Sequence, residues 1–230
     1  MTPTLTGPFF EIGPKNLLRL PEMVDVARAA GRAGHDYGVT VIFTIPTAFI
    51  SPLVQLKTGV LVFGQELSTD GIGPTFGTVT AEALVDVGAD GVMLNHDSNP
   101  LSADDLARAV RRTAETDLLS IVCAGAERQA LASAALNPSA VLFEPPDLIG
   151  TSGGHSRAWI ESSNTAVRAA HPQVLMMHAG GVSSPDIARS IMAAGADGTG
   201  STSGVLSFQD PASAARRFIA DARAGWDDAR

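Results

Sequence analysis

Short apolar runs and stretches of helical spacing alternate along the whole chain. The runs are Pro8–Ile12, Val39–Thr44, Val60–Gly64, Gly91–Asn95, Leu118–Cys123, Ala140–Phe143 and Val174–Met177, with a last one, rich in Gly, Ser and Thr, near Gly198–Thr202. Between them apolar residues recur three and four apart: Met23, Val26, Ala27 and Ala30, then Leu106, Ala109, Val110 and Thr113, then Ile187, Ala188, Ile191 and Met192. Residues so spaced share one face of a helix, so each set predicts a buried stripe, while the runs predict buried strands. Ser102-Ala-Asp-Asp105 reads as a helix start, and Ser184-Pro185-Asp186 puts proline in a first turn. Gly31 or Gly34, Gly88 and Gly195 read as helix ends. Thr47–Lys57 reads as a second helix broken by Pro52, and Ser68–Thr78 as a long loop after the third strand.

Eight strand–helix units within 230 residues predict an α/β fold, a single (β/α)8 barrel domain spanning residues 1–230. An open, doubly wound sheet would also alternate, but it carries a glycine fingerprint after its first strand. The turn Gly13-Pro14-Lys15-Asn16 is not one.

Composition narrows the function. Hydrophobic residues make up 45% of the chain, enough for a packed core. The net charge of −8, with no basic patch interleaved with aromatics, argues against a nucleic-acid partner. No apolar run is long enough for a membrane span, and Met1–Gly7 has neither the basic nor the apolar region of a secretory leader. A single cysteine, Cys123, excludes a disulfide framework and fits a reducing cytoplasm. No cluster has metal-ligand spacing, and no cofactor is expected.

Barrel enzymes build their sites from residues at the C-terminal ends of the strands. Those positions are Lys15 after strand one, Gln65 and Glu66 after strand three, Asn95-His96-Asp97 after strand four and Glu144 after strand six. Strand seven leads into His178-Ala-Gly-Gly-Val-Ser-Ser184, and strand eight into Gly200-Ser-Thr-Ser-Gly204. The sixth is the most informative. Ala140–Phe143 ends in the carboxylate of Glu144, a rigid Pro145-Pro146 pair follows, and Gly150-Thr-Ser-Gly-Gly154 gives the loop a flexible tip. That combination suits a general base under a closing lid. The small-residue turns after strands seven and eight, with Gly181, Ser183, Ser203 and Gly204, expose backbone amides where such barrels hold phosphate; Gly150 and Gly153 would add theirs from the lid. His155 on the lid and His178 beside the turns are further candidates to face a substrate.

Taken in order, these pieces resemble the triosephosphate isomerase family, most closely its short archaeal-like form. They are Lys15, Gly88-Ala-Asp-Gly-Val-Met-Leu-Asn-His96, Glu144-Pro-Pro-Asp-Leu-Ile-Gly-Thr151, Gly181-Val-Ser183 and Ser203-Gly204-Val205. The resemblance implies a TIM barrel and an aldose–ketose isomerase of a small phosphorylated sugar. Within it, Glu144 shuttles a proton between adjacent carbons. His96 polarises the carbonyl as a neutral imidazole, as is known of this family's reaction. Lys15 stabilises phosphate and enediolate, and the glycine turns hold phosphate. It also implies a cytoplasmic enzyme of glycolysis and gluconeogenesis, and a homo-oligomer docked through Ser68–Thr78. Two departures stand out. Gly13 replaces the family's asparagine two residues before the lysine, and Asp97-Ser98 replaces Ser-Glu after the histidine. The acid–base pair and phosphate cradle are kept while the shell around the sugar oxygens is altered. The resemblance so altered implies a triose phosphate, or a relative such as a tetrulose phosphate, as the expected substrate.

Two other readings of these residues stay open. One is another phosphate-binding barrel enzyme: an epimerase, a decarboxylase, or an aldolase, for which Lys15 would have to form the Schiff base because Lys57 reads as helical. The other is a barrel that binds a sugar phosphate without catalysis.

Overall fold

The computed structural model describes residues 4–145 and 158–230. Eight parallel strands close into a barrel in sequence order, with β8 returning to pair with β1. They are β1 (Phe9–Ile12), β2 (Thr40–Thr44), β3 (Leu61–Gly64), β4 (Gly91–Leu94), β5 (Leu119–Ala124), β6 (Ala140–Phe143), β7 (Leu175–His178) and β8 (Gly198–Gly200). The helices are α1 (Leu20–Tyr37), α2 (Ile50–Val54), α3 (Ala81–Asp86), α4 (Ala103–Glu115), α5 (Glu127–Ala134), α6 (Ala158–Ala170), α7 (Pro185–Ala193), α8 (Ser203–Leu206) and α9 (Pro211–Asp228). The expected (β/α)8 architecture is the observed one.

Successive strand residues point to opposite faces, so each strand splits its side chains between barrel interior and helical shell. In β1, Phe10 points outward and packs its ring 6.2 Å from Phe218 of α9. Phe9 and Glu11 therefore point inward. In β6, Phe143 points outward onto Trp159 of α6, 5.1 Å between ring centroids, leaving Leu142 and Glu144 on the inner side. β8 is short and lacks bulk because the Phe9 ring fills the space beside Gly198.

One device recurs at the lower rim. The sequence Gly-Ala-Asp-Gly occurs at 88–91 and again at 195–198. In each copy the first glycine ends a helix, with φ of 84° and 92°, and the aspartate precedes the next strand. Asp90 Oδ2 accepts from the Val62 amide of β3 at 2.8 Å, and Asp197 Oδ2 from the Met176 amide of β7 at 2.9 Å. Arg168 of α6 neutralises Asp197 at 2.9 Å. These bonds satisfy strand-end amides and fix the height of the neighbouring strands, hence of the loops above them.

Three expectations need correction. Neither Gly31 nor Gly34 ends the first helix, which runs on to Gly38 in the left-handed conformation. Gly31 lies inside α1 because a Cβ there would stand 1.8 Å from the Thr58 carbonyl. Pro52 does not break a long second helix. A 3-10 turn at 47–49 leads into α2, and Pro52 sits in the first turn of α2, where its missing N–H costs no helical bond. The fourth strand stops at Leu94, because Asn95 turns to a φ of 57°. Among the described residues no helix is long and apolar enough to cross a membrane.

Candidate active site

The strand ends open onto a cavity of about 840 Å³ at the C-terminal mouth of the barrel. Its size is that of a small-molecule site. Lys15, His96 and Glu144 line it from β1, β4 and β6, with Gly181 and Ser183 from the β7 loop and Ser203 and Gly204 from the β8 loop. Gln65 and Glu66 also reach it. Gly150, Gly153 and His155 lie outside the described residues.

Lys15 has a φ of 52°, a conformation that costs a non-glycine residue strain and is kept only where surroundings enforce it. Thr202 Oγ1 holds this loop by donating to the Gly13 carbonyl at 2.8 Å, tying the β8 loop to the β1 loop. Among the described residues lining the cavity Lys15 is the one lysine or arginine, against Glu11, Glu66, Asp97 and Glu144.

His96 stands on a pinned loop. The Asn95 side chain donates to the Cys123 carbonyl and accepts from the Leu101 amide, both at 2.9 Å, which accounts for its left-handed backbone. The Ser98 amide donates to His96 Nδ1 at 3.1 Å, and Ser98 Oγ lies 2.8 Å from the same nitrogen. A backbone N–H can only donate, so Nδ1 is the acceptor and Nε2 carries the proton. Burial and the charge of Lys15 push the imidazole pKa down, against the pull of Asp97. The ring is thus a neutral donor at physiological pH. The Asp97-Ser98 order, a departure on paper, puts a serine where it fixes the tautomer.

Glu144 is half-buried at the end of β6, its amide bonded to the Ala124 carbonyl at 2.9 Å. Burial raises its pKa above the usual carboxylate range; Lys15 opposes the rise and Asp97 adds to it. A carboxylate so destabilised is a better base than one in water.

The two small-residue turns form one unit. Ser201 Oγ donates to the Val182 carbonyl at 2.7 Å, and a Cβ on Gly204 would stand 2.0 Å from that same oxygen. Glycine is the residue that allows this approach. The Ser203 and Gly204 amides, at the start of α8, have no acceptor within their own helix.

His178 does not face the cavity. It alternates with the inward Met177 and Ala179, so it is fully buried on the outer side of β7, with Nε2 2.8 Å from Asn164 Oδ1 of α6. Two polar residues within strands line the cavity and escaped the sequence reading, Glu11 and Thr44. Each sits inside an apolar run; strict alternation from Phe9 is the signal that turns Glu11 inward.

Comparison with known proteins agrees with this geometry. The family model described as triosephosphate isomerase matches residues 19–218. A triosephosphate isomerase of Methanopyrus kandleri is 33% identical over 201 residues, covering 86% of this chain and 86% of its own. One of Sulfurisphaera tokodaii is 31% identical and one of Sulfolobus acidocaldarius 29%, each over 202 residues, 86% of this chain and 87% of the relative. A barrel closed in sequence order, a neutral histidine and a half-buried carboxylate at one mouth, and a family match across most of its length agree: the chain belongs to the triosephosphate isomerase family, a family of aldose–ketose isomerases.

Proposed function

We propose that the protein interconverts an aldose and a ketose phosphate by moving a proton between adjacent carbons. The substrate is a triose phosphate or a tetrulose phosphate. The observation that carries this reading is the convergence of Lys15, His96 and Glu144, from three separate strands, on one cavity walled on one side by the amide turns. The Glu144 carboxylate takes the proton from the carbon beside the carbonyl. His96 Nε2–H donates to the carbonyl oxygen, and Lys15 stabilises the enediolate between them. Return of the proton to the neighbouring carbon completes the isomerisation. Electrons and atoms balance without any outside oxidant or reductant. The Gly181–Ser183 and Ser203–Gly204 turns receive the phosphate through their amides.

The test is proton exchange in D2O followed by NMR, with dihydroxyacetone phosphate, glyceraldehyde 3-phosphate and a tetrulose phosphate offered in turn. The expected result is aldose–ketose conversion with deuterium entering at the carbon next to the carbonyl. Binding of these phosphates without exchange would overturn the isomerase reading and favour a non-catalytic barrel.

We further propose a homo-oligomer formed through the 68–78 loop. Its support is the side chains of Ile72 and Phe76, 82% and 101% exposed, an arrangement that leaves large apolar area in water. Ultracentrifugation is expected to find an oligomer that the Phe76→Asp change dissociates; a monomeric wild type would refute this assembly.

A further inference from the structure

The floor of the cavity holds a carboxyl group that the proposed chemistry does not use. Glu11, in the middle of β1, is only 6% exposed, and its Oε1 has no hydrogen-bond partner. Beside it on β2, Thr44 is 3% exposed, and its Oγ1 is likewise unpartnered. The two line the same cavity and lie close enough for the hydroxyl to favour the ionised carboxyl, yet they do not close a hydrogen bond. A carboxyl oxygen and a hydroxyl both left without a partner in one cavity wall can be completed by one further hydroxyl, which donates to Glu11 and accepts from Thr44.

The backbone makes room for this carboxyl. A Cβ at Gly13 would stand 2.7 Å from Glu11 Oε1, so the absence of a side chain at residue 13 and the presence of the carboxyl go together. β1 also pairs directly with β8, whose loop carries one of the amide turns, and with β2. Glu11 thus lies in the wall of the same cavity, on the strand between β2 and the strand that leads into an amide turn.

Resting on the isomerase reading above, we infer that Glu11 and Thr44 form a subsite for a substrate hydroxyl beyond those consumed by the isomerisation. That selects a four-carbon sugar phosphate over a triose phosphate. In a tetrulose 4-phosphate the hydroxyl is the one on C3, between the reacting carbons and the phosphate.

The stability of the fold argues the same way. Burial raises the Glu11 pKa from 4.5 to about 7; Thr44 opposes the rise, Glu144 adds to it and Lys15 opposes it. The other groups facing it are Cys123 of β5, itself held as a neutral thiol by burial, and no ionisable residue on β8. Because the folded pKa exceeds the unfolded one, the neutral acid's contribution to stability is full below 4.5 and is lost as pH rises through about 7. At pH 8 the ionised Glu11 therefore works against folding. A buried carboxyl that weakens the fold when ionised is the kind of cost that a functional site carries.

The test compares kcat/KM for a tetrulose phosphate and for dihydroxyacetone phosphate in the wild type and in Glu11→Gln, Thr44→Val and Thr44→Ser, with urea unfolding at pH 8 alongside. The wild type is expected to prefer the tetrulose phosphate. Thr44→Val and Glu11→Gln are expected to lower the tetrulose-to-triose ratio by on the order of 10- to 100-fold, the worth of a hydrogen bond to a charged or buried group. Thr44→Ser, which keeps the hydroxyl, should restore the ratio, and Glu11→Gln should unfold no more easily than the wild type. Equal losses on both substrates, or an unchanged ratio, would overturn the subsite while leaving the isomerase intact. A wild type inert toward both substrates would instead remove the isomerase reading, and the subsite with it. If Glu11→Gln fails to fold, the Thr44 pair decides.

Discussion

Replacing Glu144 with glutamine is expected to cut kcat/KM by on the order of 10²- to 10⁴-fold, the span attributed to a positioned general base. The amide has the shape of the carboxyl and fills the same space at the end of β6, so the cavity and the two small-residue turns should survive. What is lost is the charge and basicity that let the carboxylate accept the carbon-bound proton. An unchanged KM for substrate, with kcat collapsed and no deuterium entering from D2O, would mark the loss as chemical. The pH profile of the wild type gives the same group a second signature. Glu144 is held above the ordinary carboxylate range, mainly by burial, so its basic form is lost at a higher pH than for a surface glutamate. The acid limb of kcat/KM should therefore lie above pH 4.5. His96 does not supply that limb as an ordinary histidine would, because burial and Lys15 hold its pKa down. A Glu144→Gln protein within a few-fold of wild-type turnover would remove Glu144 from the mechanism.

The barrel was legible because short continuous apolar runs recur eight times, with longer segments, several of them helically spaced, between them. The apolar stripe of Leu106, Ala109, Val110 and Thr113 is buried, and Ser102 caps its helix by accepting from the Asp105 amide as the sequence suggested. What the pattern hid were features that depend on neighbours distant in sequence. Gly31 and Gly34 look like helix ends, yet they are interior to α1 because the loop at Thr58 presses against the first, and Val39 just before β2 and Val41 within it press against the second. Nothing local announces that contact. The short α8 is invisible because Ser203-Gly204-Val205-Leu206 has no helical stripe to read. In the cavity, strand-end position was enough to bring Lys15, His96 and Glu144 together, since parallel strands of a closed barrel all end at one mouth. Glu11 was missed for the complementary reason. It lies below the rim, within an apolar strand, and only the inward turn of alternate residues exposes it. Its link to Gly13 is a packing relation, with Oε1 occupying the place of a Cβ, and it becomes visible only in three dimensions. His178 shows the same rule in the opposite sense: adjacent to a small-residue turn in sequence, it is turned away by the parity of β7.

Lys15→Met is expected to lower kcat by about 10²- to 10³-fold, as does removal of one preorganised group that stabilises developing negative charge. The size of the effect follows from the composition of the site. Lys15 is the one lysine or arginine among the described lining residues, while Glu11, Glu66, Asp97 and Glu144 are acidic, and the proposed substrate is itself an anion. Methionine keeps the unbranched stem and removes only the charge. The same change should move the pH profile, and the direction can be worked out. Lys15 lowers the pKa of Glu144 by attraction and that of His96 by repulsion. Without it both pKa values rise, so the base is protonated and the imidazole charged at higher pH, and the acid limb of kcat/KM shifts upward. A lysine acting only as a distant tether for phosphate would weaken binding and leave that limb in place. Loss of rate together with an upward-shifted limb assigns Lys15 to the reacting end of the substrate, between the base and the imidazole; loss of affinity with a fixed limb assigns it to the phosphate alone.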